Sequence, residues 1–525
     1  MKRFFYLIFV LGVLFIAACK SNKKINPTPT PTPNDTSATV LDKIKDSVFL
    51  YAKEDYLWYT SLPTYATFNP RAFTGGDDIT ALTNEVNALS QYAINPATNQ
   101  PYEYYSDDPG EAKYSFIDDG TVSAELNGNR GDFGLGVNFY QTVNDLRITY
   151  VYPGSPADSA HIKRGYLVTS VNGSTSISYD GANGPNIAFL NNSFFNSNTI
   201  SLTLQKPDGS TLTVNNMKIA SYTVNPVLKD TIITTANGHK VGYVVFNSFT
   251  DTKTNAAPAL APVFANFAAQ NITDLVVDLR YNGGGYVSTA EYIDNLIVPA
   301  AKTGSVMYKT YYNDILSANK EVLLSKQWRR DPNTQQLYNY GPDYIDYSPT
   351  SPYNTTNFAK SGGLNVGRVF FLITGGTASA SELTINNLRP VMDVEMIGEQ
   401  SYGKPVGFFD ININKYTLYT PEFYTQNSAN QGGYYTGFTP GSNGYAGFAA
   451  NDDMSKDFGD PTEGLFSHAL SYINTGTYSM PTQSVQSINS KYRTLSLAER
   501  VSVAKILNGH KFTGMIAHKT MKLKR

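Results

Sequence analysis

A serine and a lysine 25 residues apart carry the densest chemistry in this sequence. An apolar run, Val369 to Thr374, leads into Gly375-Gly376-Thr377-Ala378-Ser379-Ala380-Ser381-Glu382 and then an amphipathic stretch. This order predicts a strand, a turn and a helix, with Ser379 at the turn. Such a turn presents a hydroxyl and aims backbone N–H groups at one point, the two requirements of acyl transfer. A second strand, Val394 to Ile397, delivers Lys404 on a loop flanked by Gly403 and Gly407. The spacing fits a helix followed by a strand returning beside the first. A lysine acts as a base only when neutral, and its reference pKa of about 10.4 means that burial must lower it. Tyr402, Pro405, Val406 and Phe408 supply apolar surroundings for that purpose.

The elements that must position these groups precede them. Val241 to Phe249 reads as a buried strand, Pro258 to Gln270 as a helix, and Leu275 to Leu279 as another strand. That strand closes on Arg280-Tyr281-Asn282-Gly283-Gly284-Gly285. Strands alternating with helices predict a layered α/β core. Three consecutive glycines let backbone approach a substrate carbonyl without Cβ interference.

Gly-Thr-Ala-Ser-Ala-Ser-Glu over residues 376–382, Tyr-Gly-Lys over 402–404 and Asp-Leu-Arg with the triple glycine over 278–285 together resemble peptidase family S41, the carboxyl-terminal processing peptidases. The resemblance implies a ClpP/crotonase-like core, Ser379 as nucleophile and Lys404 as its general base. It also implies an oxyanion hole from the N–H groups of Gly284 and Ala380, with Gly283 close behind. Some members carry an acidic residue eleven positions after the nucleophile, and others a glutamine four after the lysine. Here those positions are Pro390 and Phe408, so a third catalytic member is unassigned.

Competing chemistries are absent from the pattern. None of His161, His239, His468, His510 and His518 is near either catalytic stretch in sequence, and Ser379 lacks a Gly-x-Ser-x-Gly setting. Gly398 to Lys404 matches the start of a phosphate-binding loop, but Pro405 stands where a hydroxyl would hold magnesium, which argues against a nucleotide. No metal-ligand cluster is visible and no cofactor is implied. A formal net charge of −2 without a long basic run makes nucleic acid an unfitting partner.

The amino-terminal pattern is that of an exported, anchored chain. Met1-Lys2-Arg3 precedes an apolar run from Phe4 to Ala18, of signal-peptide length, and Ile16-Ala17-Ala18-Cys19 resembles a bacterial lipobox. Cys19 is the single cysteine and the expected lipidation site. Pro27 to Pro33 alternates with threonine as an extended tether. The residues after Cys19 lack the acidic cluster of some Bacteroidetes-type surface lipoproteins. The expected location is therefore the cell envelope, anchored to the outer membrane and facing the periplasm.

The expected organisation is multidomain, α/β and α+β: signal peptide 1–18, lipidated tether 19–39, a helical region 40–128, a PDZ-like β-rich domain 129–222, an S41 peptidase core 223–480 and a helical tail 481–525. Phe133-Gly134-Leu135-Gly136, ahead of alternating strands, resembles the loop with which a bacterial-protease PDZ domain takes a terminal carboxylate, the bound tail adding to the sheet edge. Trp58, Tyr59 and Tyr102 to Tyr105 are candidates for an aromatic wall or for plain packing. Residues 303–365 read as an insertion covering the active site, Asp460 to Leu470 as a closing helix, and Lys519 to Arg525 as a solvated end. The expected function is a lipid-anchored serine endopeptidase for proteins or peptides with free carboxyl termini. The alternative is a catalytically silent PDZ-bearing scaffold lipoprotein that binds peptides. A glycan-capturing lipoprotein is a third reading, suggested by the tether and the 38 tyrosines.

Overall fold

A computed structural model describes residues 37–106, 108–331, 334–478, 492–507, 512–517 and 523. The signal peptide, Cys19 and the tether up to residue 36 lie outside the described residues, as does the basic end except Leu523. Among the described residues no helix is long and apolar enough to cross a membrane.

The chain begins its folded part with α1 (Val40–Asp55), which buries Ile44, Val48, Phe49 and Ala52 along one stripe. Burying a side chain of this kind is worth roughly 1.5–3 kcal/mol. The stripe joins the same apolar core as the six-stranded sheet described below. Helix α2 (Asp78–Ser90) starts at Asp77, whose carboxylate accepts the Thr80 N–H at 2.9 Å. The region 40–128 is not helical throughout. Its strand β1 (Phe116–Asp118) pairs with Tyr416–Tyr419 of the core, and Tyr114 and Phe116 reach Gly403 and Phe408 on the Lys404 loop.

The next stretch is a five-stranded antiparallel sheet, β2 (Leu135–Phe139), β3 (Leu146–Val151), β4 (Leu167–Val171), β5 (Thr199–Gln205) and β6 (Thr211–Lys218), in sequential order. Helix α3 (Pro185–Phe195) buries Ile187, Leu190 and Phe194 against it. Asn129–Asp132 runs antiparallel to Ala220–Thr223, so the chain enters and leaves this sheet side by side.

The core is a six-stranded sheet. Its order is β7 (Val227–Thr234), β8 (Lys240–Phe246), β9 (Asp274–Asp278), then Arg368–Ile373, Asp393–Gly398 and Gly447–Ala449. Only the first pair is antiparallel. Parallel neighbours need helical crossovers. Helix α4 (Ala257–Ala269) joins β8 to β9, and after the short β10 (Gly284–Tyr286) comes α5 (Val287–Ile297). Strand β11 (Arg368–Ile373), α6 (Ala380–Leu388) and β12 (Asp393–Gly398) complete the series. The glycine loop, the Ser379 turn and the Lys404 loop all leave the carboxyl ends of adjacent parallel strands, where open α/β sheets hold their ligands.

Residues 303–365 do not form a lid. Val306–Tyr312 is a strand between Thr355–Asn357 and Phe423–Asn427, and Tyr308 and Tyr347 are buried in the main core. Their tyrosine content reflects packing of this second sheet, as in the edge-to-face pair of Tyr312 and Tyr347. The closing helix runs Gly464–Thr475. The tail contributes α7 (Leu497–Leu507) and a strand, β13 (Gly514–Ile516).

Candidate active site

Ser379 occupies the turn between β11 and α6 with φ +57° and ψ −105°. An L-residue adopts that backbone only when its surroundings impose it, and such strain gathers at functional positions. Here the Ala378 N–H donates to Asn282 O at 3.0 Å and the Ser379 N–H donates to Glu382 Oε2 at 2.8 Å. The Ser381 hydroxyl, 3.0 Å from Asn282 O, ties the start of the helix to the glycine loop. The Ser379 hydroxyl is buried, and among the described residues it has no hydrogen-bond partner.

Glu382 is the residue that joins the Ser379 turn to the Lys404 loop. Its fully buried carboxylate also accepts the Gly403 N–H at 2.7 Å, the Lys404 N–H at 2.8 Å and the Ser401 hydroxyl at 2.6 Å. Burial raises its pKa, and these donors work against that rise. Serine followed three residues later by glutamate is a capping signature legible in the sequence, but its reach to the lysine loop is not.

Lys404 is completely buried, and its Nζ lies 3.8 Å from the centre of the Phe408 ring. Burial pushes the amine well below the ordinary lysine range; the Glu103 carboxylate pulls the other way and Lys113 adds to the depression. Nζ donates to Thr513 O at 2.5 Å and to Tyr114 O at 3.3 Å. Glu103 itself is held by the Tyr56 and Ser115 hydroxyls, both at 2.8 Å. Sequence reasoning missed Glu103, Tyr114 and Thr513, since nothing local marks them and only the fold brings them here.

The glycine loop is fixed from below. Arg280 is fully buried and donates to Asp278, to Asp452 at 2.6 Å and to Glu463 at 2.7 Å. Arg164 of the five-stranded domain reaches the same Asp452 at 2.9 Å. Burial alone would raise the Asp452 pKa, but Arg164 and Arg280 outweigh it and hold it at about 2. Above this hub, Asn282 Oδ1 accepts the Gly284 N–H at 2.9 Å, which commits that expected oxyanion donor to the loop itself. The N–H groups of Gly283 and of Ala380, at the first turn of α6, have no acceptor among the described residues. A Cβ on Gly284 would lie 3.0 Å from Ala380 N, so the loop and the helix start meet here.

The other predicted positions lie elsewhere. Phe133 is in the core of the five-stranded domain, and its carbonyl accepts the Ala157 N–H. Gly134, at φ +78°, donates to Asp132 Oδ1 at 2.8 Å, and Leu135 and Gly136 pair with Val151 and Tyr150. A cavity of about 850 Å³ runs from Asn138 and Tyr150 of this domain to Gly283, Ser401 and Tyr402. Tyr104 and Tyr105 line it, whereas Trp58 stacks on Tyr102 at 4.4 Å as packing. Pro390 and Phe408 supply no third catalytic group: Phe408 is an apolar wall for Lys404. His239 faces Asp274, and His468 packs on Phe448 with the rings tilted by 42°.

Residues 240–440 match the family model described as peptidase family S41. A carboxyl-terminal-processing protease of Picosynechococcus sp. (strain ATCC 27264 / PCC 7002 / PR-6) is 29% identical over 287 residues, covering 54% of this chain and 56% of that protein. Carboxy-terminal processing protease CtpA of Bacillus subtilis (strain 168) is 24% identical over 308 residues, covering 58% and 52%. The chain thus spans about half the length of the curated relatives it matches. A crystal structure described as a candidate S41 protease of Bacteroides fragilis NCTC 9343 superposes with a TM-score of 0.53 at 23% identity, over 82% of this chain and 97% of that one, a likeness of fold. With the glycine loop, the serine turn and the lysine loop all inside the matched span, residues 240–440 carry a peptidase family S41 domain.

Proposed function

We propose that this chain is a serine endopeptidase working through a Ser379–Lys404 dyad. The observation that carries the reading is Glu382, whose one carboxylate holds the Ser379 and Lys404 backbones together while the lysine amine is desolvated. Ser379 Oγ attacks the scissile carbonyl and its proton passes to Lys404 Nζ. The Gly283 and Ala380 N–H groups, rather than that of Gly284, receive the oxyanion. Lys404 returns the proton to the leaving amine, and the acyl-enzyme is hydrolysed by water with the neutral amine again as base. The substrates are proteins or peptides, taken by their carboxyl-terminal tails, and the β-rich domain is the PDZ-like module through which the cavity is reached.

The pH dependence tests the base. Because burial depresses the lysine ionisation, kcat/KM on an unstructured protein rises with pH through a midpoint well below the free-lysine value of about 10.4. A midpoint at the free-lysine value, or no dependence between pH 6 and 10, contradicts this assignment.

The anchoring reading rests on the residues before 40. Cys19 carries the lipid, the Pro/Thr-rich tether spans from an outer membrane, and the catalytic body faces the periplasm. Metabolic labelling with a fatty acid is expected in the wild type and lost in Cys19→Ala. Equal labelling of the two removes the lipoprotein reading.

A further inference from the structure

Ser379 and Lys404 are both 0% exposed, which no peptidase acting on external chains can sustain during turnover. The chain's own later sequence lies over Lys404 and against the glycine loop beside Ser379. Strand β13 pairs in parallel with β10, Gly284 opposite Gly514, and the Gly514 N–H donates to Gly283 O at 2.9 Å. On its other side Phe408 N–H donates to Met515 O at 2.9 Å and Ala517 N–H to Phe408 O at 3.0 Å. An extended segment therefore lies as an added strand between the glycine loop and the lysine loop. Its fit is close: a Cβ on Gly284 would be 2.3 Å from Gly514 O, and one on Gly283 would be 2.0 Å from Phe512 O. Thr513 O takes the hydrogen bond of the Lys404 amine, so the base faces the segment while Ser379 Oγ is left without a partner among the described residues. The large cavity ends on Phe512 and Thr513 and is lined by neither Ser379 nor Lys404.

A second stretch of the same tail occupies the other recognition surface. Helix α7 packs against β2 and α3 of the five-stranded domain, where Leu495, Val503 and Leu507 join Val137, Ile187 and Leu190 in one apolar cluster. Asn138 Nδ2 donates to Arg500 O at 3.3 Å, and Leu495 N–H donates to Gln141 O at 3.0 Å. This is the strand–helix groove in which a PDZ-like module seats a peptide by strand addition.

We infer that residues 492–507 and 512–517 are an intramolecular occupant of the enzyme's substrate path, the helix filling the recognition groove and the strand filling the catalytic cleft. The inference rests on the proposed peptidase reading of that cleft. It also names the substrate class: an extended peptide with an aromatic residue two positions before a glycine and apolar residues after it. Phe512 sits edge-on to Phe116 at 5.8 Å, Gly514 has no room for a Cβ beside the Phe408 and Phe512 rings, and Met515 and Ile516 are buried. External substrates must displace this occupant, so the apparent specificity constant is the intrinsic one multiplied by the open fraction.

The test uses the full chain. Gly514→Pro removes the N–H given to Gly283 and places ring atoms where a Cβ would meet Phe512 at 2.5 Å and Phe408 at 2.8 Å. Val503→Asp puts a carboxylate at a fully buried apolar position of the helix. Each is expected to raise kcat/KM on an unstructured protein by roughly tenfold or more, as for an open fraction of about a tenth or less. A readout independent of turnover is binding of a labelled peptide with the sequence of residues 511–518, measured by anisotropy. Ser379→Ala/Gly514→Pro should bind it at least about tenfold more tightly than Ser379→Ala alone, the difference being the competing tail. Gated binding without cleavage by any chain upholds the occupant and removes the peptidase reading. Cleavage by the wild type, unchanged by Gly514→Pro, with equal binding to both Ser379→Ala chains or to neither, overturns the occupant and leaves the peptidase.

Discussion

Ser379→Ala and Lys404→Ala each lower kcat/KM by on the order of 10⁴-fold, and the double variant is no slower than the worse single one. Groups that move one proton between them act as a unit, so deleting the second costs little once the first is gone. Lys404→Arg is equally inactive, because a guanidinium cannot be deprotonated in a protein and so cannot accept the serine proton. Ser381→Ala keeps much of its activity: its hydroxyl holds Asn282 O on the glycine loop and faces no reacting atom. Cleavage of an unstructured protein measures the five variant chains, with circular dichroism to show that each is folded. A folded Lys404→Arg with wild-type activity contradicts the dyad.

Arg280→Met destabilises the protein by about 3–5 kcal/mol and slows it as well. The guanidinium is fully buried and is the common partner of Asp278, Asp452 and Glu463. Removing it leaves three buried carboxylates with Arg164 as their remaining close cation, through Asp452. Breaking a buried charge cluster from one side carries this cost because the stranded charges cannot be resolvated. Activity is expected to fall because Tyr281, Asn282 and Gly283 follow directly in the chain and set the glycine loop, the proposed oxyanion site. The pH dependence has a definite sign. Asp452, held at about 2, stabilises the wild type above the unfolded carboxylate pKa of about 3.9, and that contribution disappears as pH falls towards 2. In Arg280→Met the stranded carboxylates have raised pKa values instead, so the deficit shrinks as pH is lowered from 7 to 5. Urea midpoints of both chains at the two pH values measure this. A variant within about 1 kcal/mol of wild type at pH 7 contradicts the hub.

The site was legible where its chemistry is contiguous. The apolar run before Ser379, the small residues at the turn and the triple glycine state local backbone needs, and the structure meets them at the ends of neighbouring parallel strands. Three adjacent glycines look alike in sequence; in the structure Asn282 distinguishes them by taking the N–H of Gly284. Residues 303–365 were misjudged because tyrosine and asparagine suit a loop as well as a packed second sheet. Glu103 and Tyr114 were invisible as parts of the lysine pocket, being about 300 residues away in the chain. Phe512 to Ala517 was read as part of a helical tail because a single short strand has no periodicity of its own. Its pairing with Gly284 is a tertiary fact.

The central claim is that Ser379 is a nucleophile activated by Lys404. A fluorophosphonate probe followed by mass spectrometry of peptides reads this directly, in the wild type and in the Gly514→Pro chain. One adduct on Ser379, formed in Gly514→Pro at least as fast as in wild type and absent from Lys404→Arg, is the expected result. No adduct in either chain, or an adduct on Ser381 or another serine, contradicts the account.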